Sequence, residues 1–308
     1  MTADIGVLGR SRAEHATLPA SLISLAMPGS SVLQALEAAT DGLRAAGVED
    51  PRVDAEVLLA EALGIGRATL AADPAAEVPA AAARLFGEMV RRRLRREPVA
   101  YIVGRKSFRH LDLAVDPRVL IPRPETELLV EVALERCPAR VLDVGTGSGA
   151  IALAVADELA TCEVTATDTS SRALEVARAN AERLGLAGRV RFAAGSIPAG
   201  EEFDLILANL PYVAERDWPG LQREVTEWEP HEALLAGPDG LDAYRTLLPQ
   251  LGRSSPRYPG RTAPAAVAVE VGEGQAAAVA ELVEAAGFAS VRRLEDLAGI
   301  ERVVLGER

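Results

Sequence analysis

The stretch Val141-Leu142-Asp143-Val144-Gly145-Thr146-Gly147-Ser148-Gly149 decides the fold class of this chain. A mainly apolar run ends in three closely spaced glycines, and the apolar segment from Ile151 to Leu159 then has the length of a helix. Glycines suit this turn because a side chain would keep a nucleotide-like ligand from the backbone, and because such turns use positive φ angles. The stretch predicts a strand, a ligand-binding turn and a helix.

Apolar runs alternate with amphipathic segments from Glu125 onward. This pattern is typical of βαβ units and predicts an α/β domain whose parallel sheet is covered by helices on both faces. Ligands of such sheets bind at the carboxyl ends of the strands, where the strand order reverses. The predicted elements are Val141 to Val144, Ile151 to Leu159, Val164 to Thr167, Ala173 to Leu184, Val190 to Phe192, Phe203 to Ala208, Ala266 to Val271, Gln275 to Ala286 and Arg302 to Leu305.

The preceding part of the chain has a different pattern. Apolar residues at three- and four-residue steps predict helices after Ser31, after Pro51 and from Pro79 to Arg96. Alternation that begins at Phe108 predicts an antiparallel hairpin. We therefore divide the chain into a loosely ordered extension (1–30), an N-terminal helical domain (31–107), a hairpin linker (108–124) and an α/β domain (125–308), with a surface loop at 251–264.

The composition narrows the possible functions. The 308 residues include 33 Lys and Arg against 45 Asp and Glu, and the formal net charge of -12 argues against broad binding to a phosphate backbone. Cys137 and Cys162 form no CxxC pair and the three histidines have no metal-ligand spacing, so we predict no bound metal and a reducing, cytoplasmic location. No apolar stretch approaches the ~20 residues that a membrane-spanning helix needs.

Asp168 follows the second predicted strand of the α/β domain. A carboxylate at this place accepts hydrogen bonds from ribose hydroxyls, which both NAD and S-adenosylmethionine carry. Gly145, Gly147 and Ala150 satisfy the G-x-G-x-x-G/A form of a dinucleotide site, so an NAD-dependent enzyme stays open at this point. Asp143 favours S-adenosylmethionine, because an acid before the turn suits a positively charged ligand better than a pyrophosphate.

The predicted strand from Phe203 to Ala208 ends in Asn209-Leu210-Pro211-Tyr212. The Asn209 side chain and the next backbone carbonyl are two acceptors that suit a planar –NH2 group, and the Tyr212 ring can stack on a flat amide or base. A plain turn after a strand uses the same residue types. The tetrapeptide alone therefore leaves both interpretations open.

Taken together, these features resemble the protein-(glutamine-N5) methyltransferases of peptide-chain release factors, the HemK/PrmC family. The resemblance runs from about residue 31 to the C-terminus, and its most specific parts are Leu120-Ile-Pro-Arg-Pro-Glu-Thr-Glu127 and Asn209-Leu-Pro-Tyr212. Further matching parts are Pro98 to Gly104, Phe108, Gly145 to Gly149, Asp168, Glu229-Pro230, Gly240-Leu241, Glu270-Val-Gly272 with Gln275, and Asp296 to Gly299 with Arg302.

The resemblance implies a Rossmann-like class I methyltransferase domain with a seven-stranded, mostly parallel sheet, and an N-terminal helical domain that recognises the substrate. The substrate would be the glutamine of the Gly-Gly-Gln motif of release factors, without direct contact to nucleic acid or membrane. The catalytic residues would be Asn209, Leu210, Pro211 and Tyr212. The cofactor would be S-adenosylmethionine, with S-adenosylhomocysteine as product, bound by Gly145, Thr146, Gly147, Ser148, Gly149, Asp168, Ile197 and Asn209.

The chain departs from the family pattern in its first 30 residues, in the Arg- and Pro-rich loop that replaces a Gly-rich turn before the Glu270 strand, and at two places near the predicted site. Position 210 is Leu where the family usually has Pro, but a Leu keeps the backbone carbonyl, so we expect activity to survive. Where the family commonly has an acidic and an aromatic residue that meet the adenine, this chain has Ser196 and Ile197.

Other functions share part of these features. A DNA or RNA adenine-N6 methyltransferase uses the same Asn-x-Pro-Tyr logic, but it would carry a basic target-binding domain. An NAD-dependent oxidoreductase would bind a nicotinamide cofactor instead. A non-catalytic S-adenosylmethionine-binding module would bind the cofactor without turnover, and Leu210 is the feature that favours it.

Overall fold

The structure is a computed structural model that describes residues 29–252 and 263–308. The extension predicted at 1–30 lies outside the described residues except for its last two positions, and most of the loop predicted at 251–264 lies outside them as well. The chain divides into two compact units, one that ends at Arg95 and one that runs from Arg96 to Arg308.

The first unit is helical in its described part. Ser31 caps its first helix by accepting from the Gln34 backbone N–H, and the second helix ends at Gly64 in the left-handed conformation that glycine adopts without strain. The three helices predicted from the apolar spacing are confirmed. A further helix of six residues lies between the second and the third of them, and the sequence did not predict it because it is too short to show a helical period. The helices are α1 (Val32–Ala45), α2 (Pro51–Leu63), α3 (Arg67–Ala72) and α4 (Ala80–Leu94).

The second unit alternates strands and helices. Its elements are α5 (Val99–Val103), β1 (Arg105–Phe108), β2 (Leu111–Ala114), α6 (Glu127–Arg136), β3 (Arg140–Val144), α7 (Ala150–Glu158), β4 (Glu163–Asp168), α8 (Ser171–Arg183), β5 (Val190–Ala194), β6 (Leu205–Ala208), α9 (Arg223–Trp228), α10 (Asp242–Leu247), β7 (Ala266–Glu270), α11 (Ala276–Ala285), β8 (Ser290–Glu295) and β9 (Glu301–Glu307).

Strands β3 to β9 form one sheet of seven strands in the order β5-β4-β3-β6-β7-β9-β8. The first five strands of that order are parallel, while β9 runs antiparallel to β7 and β8 antiparallel to β9. The chain builds outward from β3 to β5 and then continues on the other side of β3 with β6. The predicted Rossmann-like, mostly parallel sheet is confirmed, and its strand order reverses at β3.

The sheet is buried on both faces. Leu205 and Leu207 of β6 join one apolar cluster, in which α6 and α7 cover the sheet, while Ile206 and Ala208 join a second cluster with α10 and α11. Alternate residues of a strand point to opposite faces, so a strand that is buried on both faces is apolar at most of its positions. This is why the sequence shows continuous apolar runs in this domain.

The hairpin begins earlier than the sequence predicts. Its strands β1 and β2 pair from Arg105 with Ala114 to Phe108 with Leu111, so pairing starts at Arg105 rather than at Phe108. Gly104 ends α5 in the left-handed conformation and releases the chain into β1. The residues Arg105, Lys106 and Ser107 are polar and largely exposed, and for that reason they carry no alternating apolar signal.

Asn180 of α8 connects the hairpin to the glycine turn that follows β3. Its side chain is fully buried; Oδ1 accepts from the Ala114 N–H at 2.7 Å, and Nδ2 donates to the carbonyl oxygens of Ala114 at 3.0 Å and Ser148 at 2.9 Å. One amide therefore pairs three backbone groups, two of Ala114 in the hairpin and one of Ser148 in the turn. A buried polar group without a hydrogen-bond partner lowers the stability of the fold, so the Asn180 side chain holds the glycine turn in place through Ser148.

We expect the Asn180→Leu variant to lose on the order of 3 kcal/mol of unfolding free energy, because three backbone groups lose their partner. Chemical denaturation of the purified protein measures this loss. The matched control is Glu182→Ala, an exposed position on the same helix, for which we expect a change within about 0.5 kcal/mol. Equal stability of the two variants would contradict the role of Asn180.

Candidate active site

The carboxyl ends of three neighbouring strands bring the predicted site residues together. Val144 at the end of β3 pairs with Thr167 of β4 on one side and with Ala208 of β6 on the other. The glycine turn after β3 therefore lies between Asp168 and Asn209, the residues at the ends of these two strands. Such a point of strand reversal is where open α/β sheets bind their ligands.

Backbone hydrogen bonds hold the glycine turn against β4. The N–H groups of Gly145 and Thr146 both donate to the Thr167 carbonyl, at 2.8 and 2.9 Å. Gly145, Gly147 and Gly149 have φ angles of 77°, 56° and 87°, which favour glycine. At Gly147 a Cβ would meet nothing within 4 Å, so this part of the turn offers open space to a ligand.

Asp168 is anchored by backbone donors. Its Oδ2 accepts from the Gly147 N–H at 2.9 Å, and its Oδ1 accepts from the Ser170 N–H at 2.8 Å. Each carboxylate oxygen can accept more than one hydrogen bond, so both oxygens keep capacity for hydroxyl donors. The arrangement fits the ribose-binding role that the sequence predicts for Asp168.

Asp143 lies beneath the turn rather than at its surface. Its Oδ2 accepts from the Thr146 hydroxyl at 2.6 Å and from the Ala152 N–H at 3.2 Å, while its buried Oδ1 has no partner in the described structure. Burial raises the pKa of Asp143 to about 7, against the effect of these hydrogen bonds, and the charge of Asp168 adds to the rise. Asp143 therefore braces the start of α7 and the turn at once.

Asn209 and Leu210 present two acceptors. The Asn209 Nδ2 donates to the Thr126 hydroxyl at 3.0 Å, which leaves Oδ1 as the unpaired end of the amide. Within the described residues, no protein donor reaches Asn209 Oδ1 or the Leu210 carbonyl oxygen. The Leu210 side chain packs into the apolar cluster on the α10 and α11 face of the sheet. The amide oxygen and the carbonyl are thus available to an –NH2 group.

Tyr212 is held through its backbone. The Gln275 Nε2 donates to the Tyr212 carbonyl at 2.8 Å, and the Gly272 N–H donates to Gln275 Oε1 at 3.0 Å. A Cβ on Gly240 would lie 2.3 Å from the Tyr212 carbonyl oxygen, so only glycine fits at that position. Burial raises the pKa of Tyr212 to about 12, and Glu270 adds to the rise, so its hydroxyl stays neutral.

The segment before α6 is tied to the loop after α9. Glu229 is buried, accepts from the Ile121 N–H at 3.0 Å and forms an ion pair with Arg123. Tyr101 adds a hydrogen bond from its hydroxyl to the Val119 carbonyl at 2.6 Å. These contacts place Thr126, which follows this segment, beside Asn209.

A cavity of about 550 Å3 opens at these strand ends, a size typical of small-ligand sites. Of the predicted site residues, it is lined by Gly145, Gly147, Asp168, Asn209, Leu210 and Pro211. The other predicted residues are not among those that line it: Thr146, Ser148, Gly149 and Ile197 are buried, and Tyr212 is half-buried. Ile197 packs in the apolar core, and its neighbour Ser196 lines the cavity instead.

Many further lining residues lie outside the matched motifs, although Leu120 and Pro230 belong to them. They come from the segment before α6, from the loop after β4, from the segment before α10 and from α10 with the turn after it, and include Arg118, Ser170, Ala236, Gly237, Asp242, Thr246 and Gln250. Helix α10 has only six residues, so it shows no helical period. Only the Gly240-Leu241 match of the resemblance pointed near this region.

Two negative findings concern the described residues. No group of three or more His, Cys, Asp or Glu side chains among them could hold a metal ion. None of the helices described is both long and apolar enough to cross a membrane.

Two protein-family models match parts of this chain. Residues 34–104 match the family model described as the PrmC N-terminal domain, and residues 124–224 match the methyltransferase small domain. The release factor glutamine methyltransferase of Caulobacter vibrioides is 41% identical over 283 residues, which cover 90% of this chain and 96% of that protein. The chain belongs to the release factor glutamine methyltransferase family. The enzyme of the same name from Moorella thermoacetica is 44% identical over 283 residues, covering 89% of this chain and 98% of that protein.

A solved methyltransferase structure shares the fold of this chain. The catalytic domain of hMettl16, solved in complex with MAT2A 3'UTR hairpin 6, has a TM-score of 0.50 and 16% identity, and the match covers 63% of this chain and 74% of that chain. At this identity the likeness shows the methyltransferase fold alone. Membership of the release factor glutamine methyltransferase family also removes the NAD-dependent enzyme that the glycine spacing left open.

The buried Asp143 gives the folded methyltransferase a pH dependence. Folding raises the pKa of this carboxyl from 3.8 to about 7, so the folded state binds its proton more tightly than the unfolded state does. The cost of burying Asp143 is therefore absent below about pH 4, grows with pH and is complete above about pH 7. Asp143→Asn removes the charge and keeps an oxygen that can accept from Thr146.

We expect the variant to gain stability relative to the natural sequence, by on the order of 3 kcal/mol, as the pH rises through this range. Chemical denaturation of cofactor-free protein at a series of pH values measures the difference. A difference that does not change with pH would contradict the burial of an ionisable Asp143.

Proposed function

We propose that the cavity at the carboxyl ends of β3, β4 and β6 is the centre at which this enzyme methylates the glutamine of a Gly-Gly-Gln motif. The enzyme transfers a methyl group from S-adenosylmethionine to a side-chain amide of peptide-chain release factors. The observation that carries the assignment of the site is the pair of unpaired acceptors, Asn209 Oδ1 and the Leu210 carbonyl, beside the open glycine turn.

The residues present fit the cofactor. The turn at Gly145 and Gly147 has room for a ligand where side chains would stand, and Asp168 keeps acceptor capacity for ribose hydroxyls. Asp143 is buried below the turn and does not line the cavity, so it acts on a bound cofactor by bracing the turn through Thr146 and Ala152. Thr146 and Ser148 support the turn from the interior. S-adenosylmethionine supplies an electrophilic methyl group when it is bound.

The chemistry of an amide explains the two acceptors. The lone pair of an amide nitrogen is delocalised, so the nitrogen is a weak nucleophile, and its fixed alignment matters more than a strong base. Asn209 Oδ1 and the Leu210 carbonyl accept the two N–H groups of the glutamine and hold the nitrogen in one orientation. As the nitrogen gains positive charge, both hydrogen bonds strengthen, which stabilises the transition state.

Pro211 and Tyr212 complete the place for the flat amide. Pro211 lines the cavity, and the fixed carbonyl of Tyr212 holds the segment that carries both acceptors. The Tyr212 ring then packs against the amide plane. Its neutral hydroxyl and apolar ring suit an uncharged glutamine side chain.

Leu210 in place of the usual proline is compatible with activity. The acceptor at this position is a backbone carbonyl, which any residue supplies. The Leu210 side chain is buried in the apolar core, so packing fixes the backbone that proline would otherwise restrict. This supports a catalytic enzyme over a module that only binds the cofactor.

The predicted partners and location extend this proposal. Release factors are the protein substrates, and we expect no direct binding of nucleic acid, because the chain has a formal net charge of -12. The cytoplasm is the predicted compartment, on the basis of the two cysteines that form no CxxC pair.

We expect Asn209→Ala to lower the turnover number on the order of a hundredfold or more, because one of the two amide acceptors is lost. Binding of S-adenosylmethionine should change much less. The reciprocal variant is Asp168→Ala, which should weaken cofactor binding by at least about tenfold. Methyl transfer under saturating substrate and calorimetric titration of the cofactor separate the two effects. Equal loss of turnover and cofactor binding in Asn209→Ala would contradict its role.

A labelling experiment tests the substrate directly. The protein is incubated with methyl-labelled S-adenosylmethionine and one of three acceptors: a release factor, the same factor with its Gly-Gly-Gln glutamine replaced, or duplex DNA. Label on the intact release factor alone is the expected result. Label on DNA would assign the Asn209 site to adenine, and cofactor binding without label anywhere would assign a non-catalytic module.

A further inference from the structure

Thr126 is the protein group that contacts the end of the Asn209 amide opposite its unpaired oxygen. It ends the short turn Pro124–Thr126 before α6 and is 3% exposed. Its hydroxyl accepts from Asn209 Nδ2 at 3.0 Å across 83 positions of the sequence. Thr126 does not line the cavity, so it contacts the substrate only through Asn209.

Glu270 is a second buried group near Thr126. It ends β7, next to β6 in the sheet, and its side chain is 2% exposed. Its backbone is fixed, since the Tyr244 hydroxyl donates to the Glu270 carbonyl at 2.6 Å. Its Oε2 is buried and unpartnered in the described structure. Thr126 is a neighbour of this carboxyl that lowers its pKa.

The charges around Glu270 set its protonation. Burial raises the pKa of Glu270 to about 7; hydrogen bonding to Thr126 opposes the rise, Glu125 adds to it, and the cations Arg302 and Arg123 oppose it. Above that pH the carboxyl is ionised and can only accept hydrogen bonds.

An ionised Glu270 sets the direction of the hydrogen bonds that would run from Asn209 through Thr126 to Glu270. The Thr126 hydroxyl has one proton, and the neighbouring Glu270 carboxylate is the acceptor that we assign to it. Its lone pairs then face Asn209, so only the –NH2 end of the Asn209 amide makes a hydrogen bond there. The oxygen of the amide is left to face the cavity.

We propose that Thr126 is a positioning residue for methyl transfer: with Glu270 as its acceptor, it fixes the orientation of the Asn209 amide so that the oxygen meets the substrate. The inference rests on the proposed role of Asn209 as an acceptor for the glutamine N–H. If the Asn209 amide flipped, its –NH2 group would meet the –NH2 group of the substrate, and two donors cannot form a hydrogen bond. Neither Thr126 nor Glu270 needs to contact the glutamine.

The test compares Thr126→Val, which has the same shape without the hydroxyl, with Thr126→Ser, which keeps it. Turnover is measured with a release factor at about pH 8.5, where Glu270 is ionised. We expect Thr126→Val to lower the turnover number at least about tenfold, since misorientation of a positioning contact costs up to about a hundredfold. Thr126→Ser should stay within about threefold of the natural sequence. The dissociation constant of S-adenosylmethionine and the unfolding midpoint should stay nearly constant in both.

A double-mutant cycle tests the link to Glu270. Glu270→Leu removes the acceptor, so its turnover should fall as that of Thr126→Val does, whereas Glu270→Gln keeps an oxygen and should fall less. Because both residues act through one property, the orientation of Asn209, the Thr126→Val/Glu270→Leu double variant should lose little more than either single variant. Independent structural roles would instead give multiplied losses.

The outcomes separate the two levels of the argument. If the natural sequence does not label a release factor, the proposed site fails. If it does label the factor, then unchanged turnover of Thr126→Val, an equal loss in Thr126→Ser, or multiplied losses in the double variant would each overturn the positioning role. Loss confined to Thr126→Val, with rescue by Ser and without additivity to Glu270→Leu, would establish it.

Discussion

The parallel pairing of β3 with both β4 and β6 is the constraint on which the rest of the site depends. It brings the ends of three strands to one edge of the sheet and places the glycine turn between Asp168 and Asn209. The cofactor and the amide to be methylated need adjacent places, because the methyl group moves directly between them. A sheet whose order reverses at β3 supplies such adjacency without any insertion, and the motifs then need to be only a few residues long.

A second layer of polar side chains makes this edge rigid. Asp143, Asn180, Glu229 and Glu270 are buried, and each contacts a segment that bears on the cavity. Their burial opposes folding, as the raised pKa values of Asp143 and Glu270 record. The hydrogen bonds that they form offset part of this cost and fix one arrangement of the turn and of Asn209. The burial of these carboxyl groups therefore lowers the stability of the fold at the edge where the cavity opens.

Much of the site could be predicted because strand ends and glycine turns are local features. Gly145, Gly147, Asp168, Asn209, Leu210 and Pro211 all line the cavity, and each ends a buried strand or lies in the turn after one. Ile197 could not be separated from Ser196, because which of two neighbours faces a cavity depends on packing. Thr126 and Glu270 lie in matched motifs, but the sequence alone gave them no role. Their proximity to Asn209 depends on packing between distant parts of the chain. Strand β8 escaped prediction because Arg292 and Arg293 leave it without an apolar run.

The sequence by itself determined the kinds of element, the positions that require glycine and the chemical groups available at each strand end. Apolar period, positive φ and donor or acceptor type are properties of short segments, and they need no knowledge of neighbours. Only the tertiary structure decided which strands lie side by side, which amide and carbonyl oxygens have no hydrogen-bond partner in the protein, and which carboxyl groups are buried away from solvent. These properties depend on contacts between residues far apart in the chain: the Asn209 Nδ2 finds its acceptor in Thr126, 83 positions away.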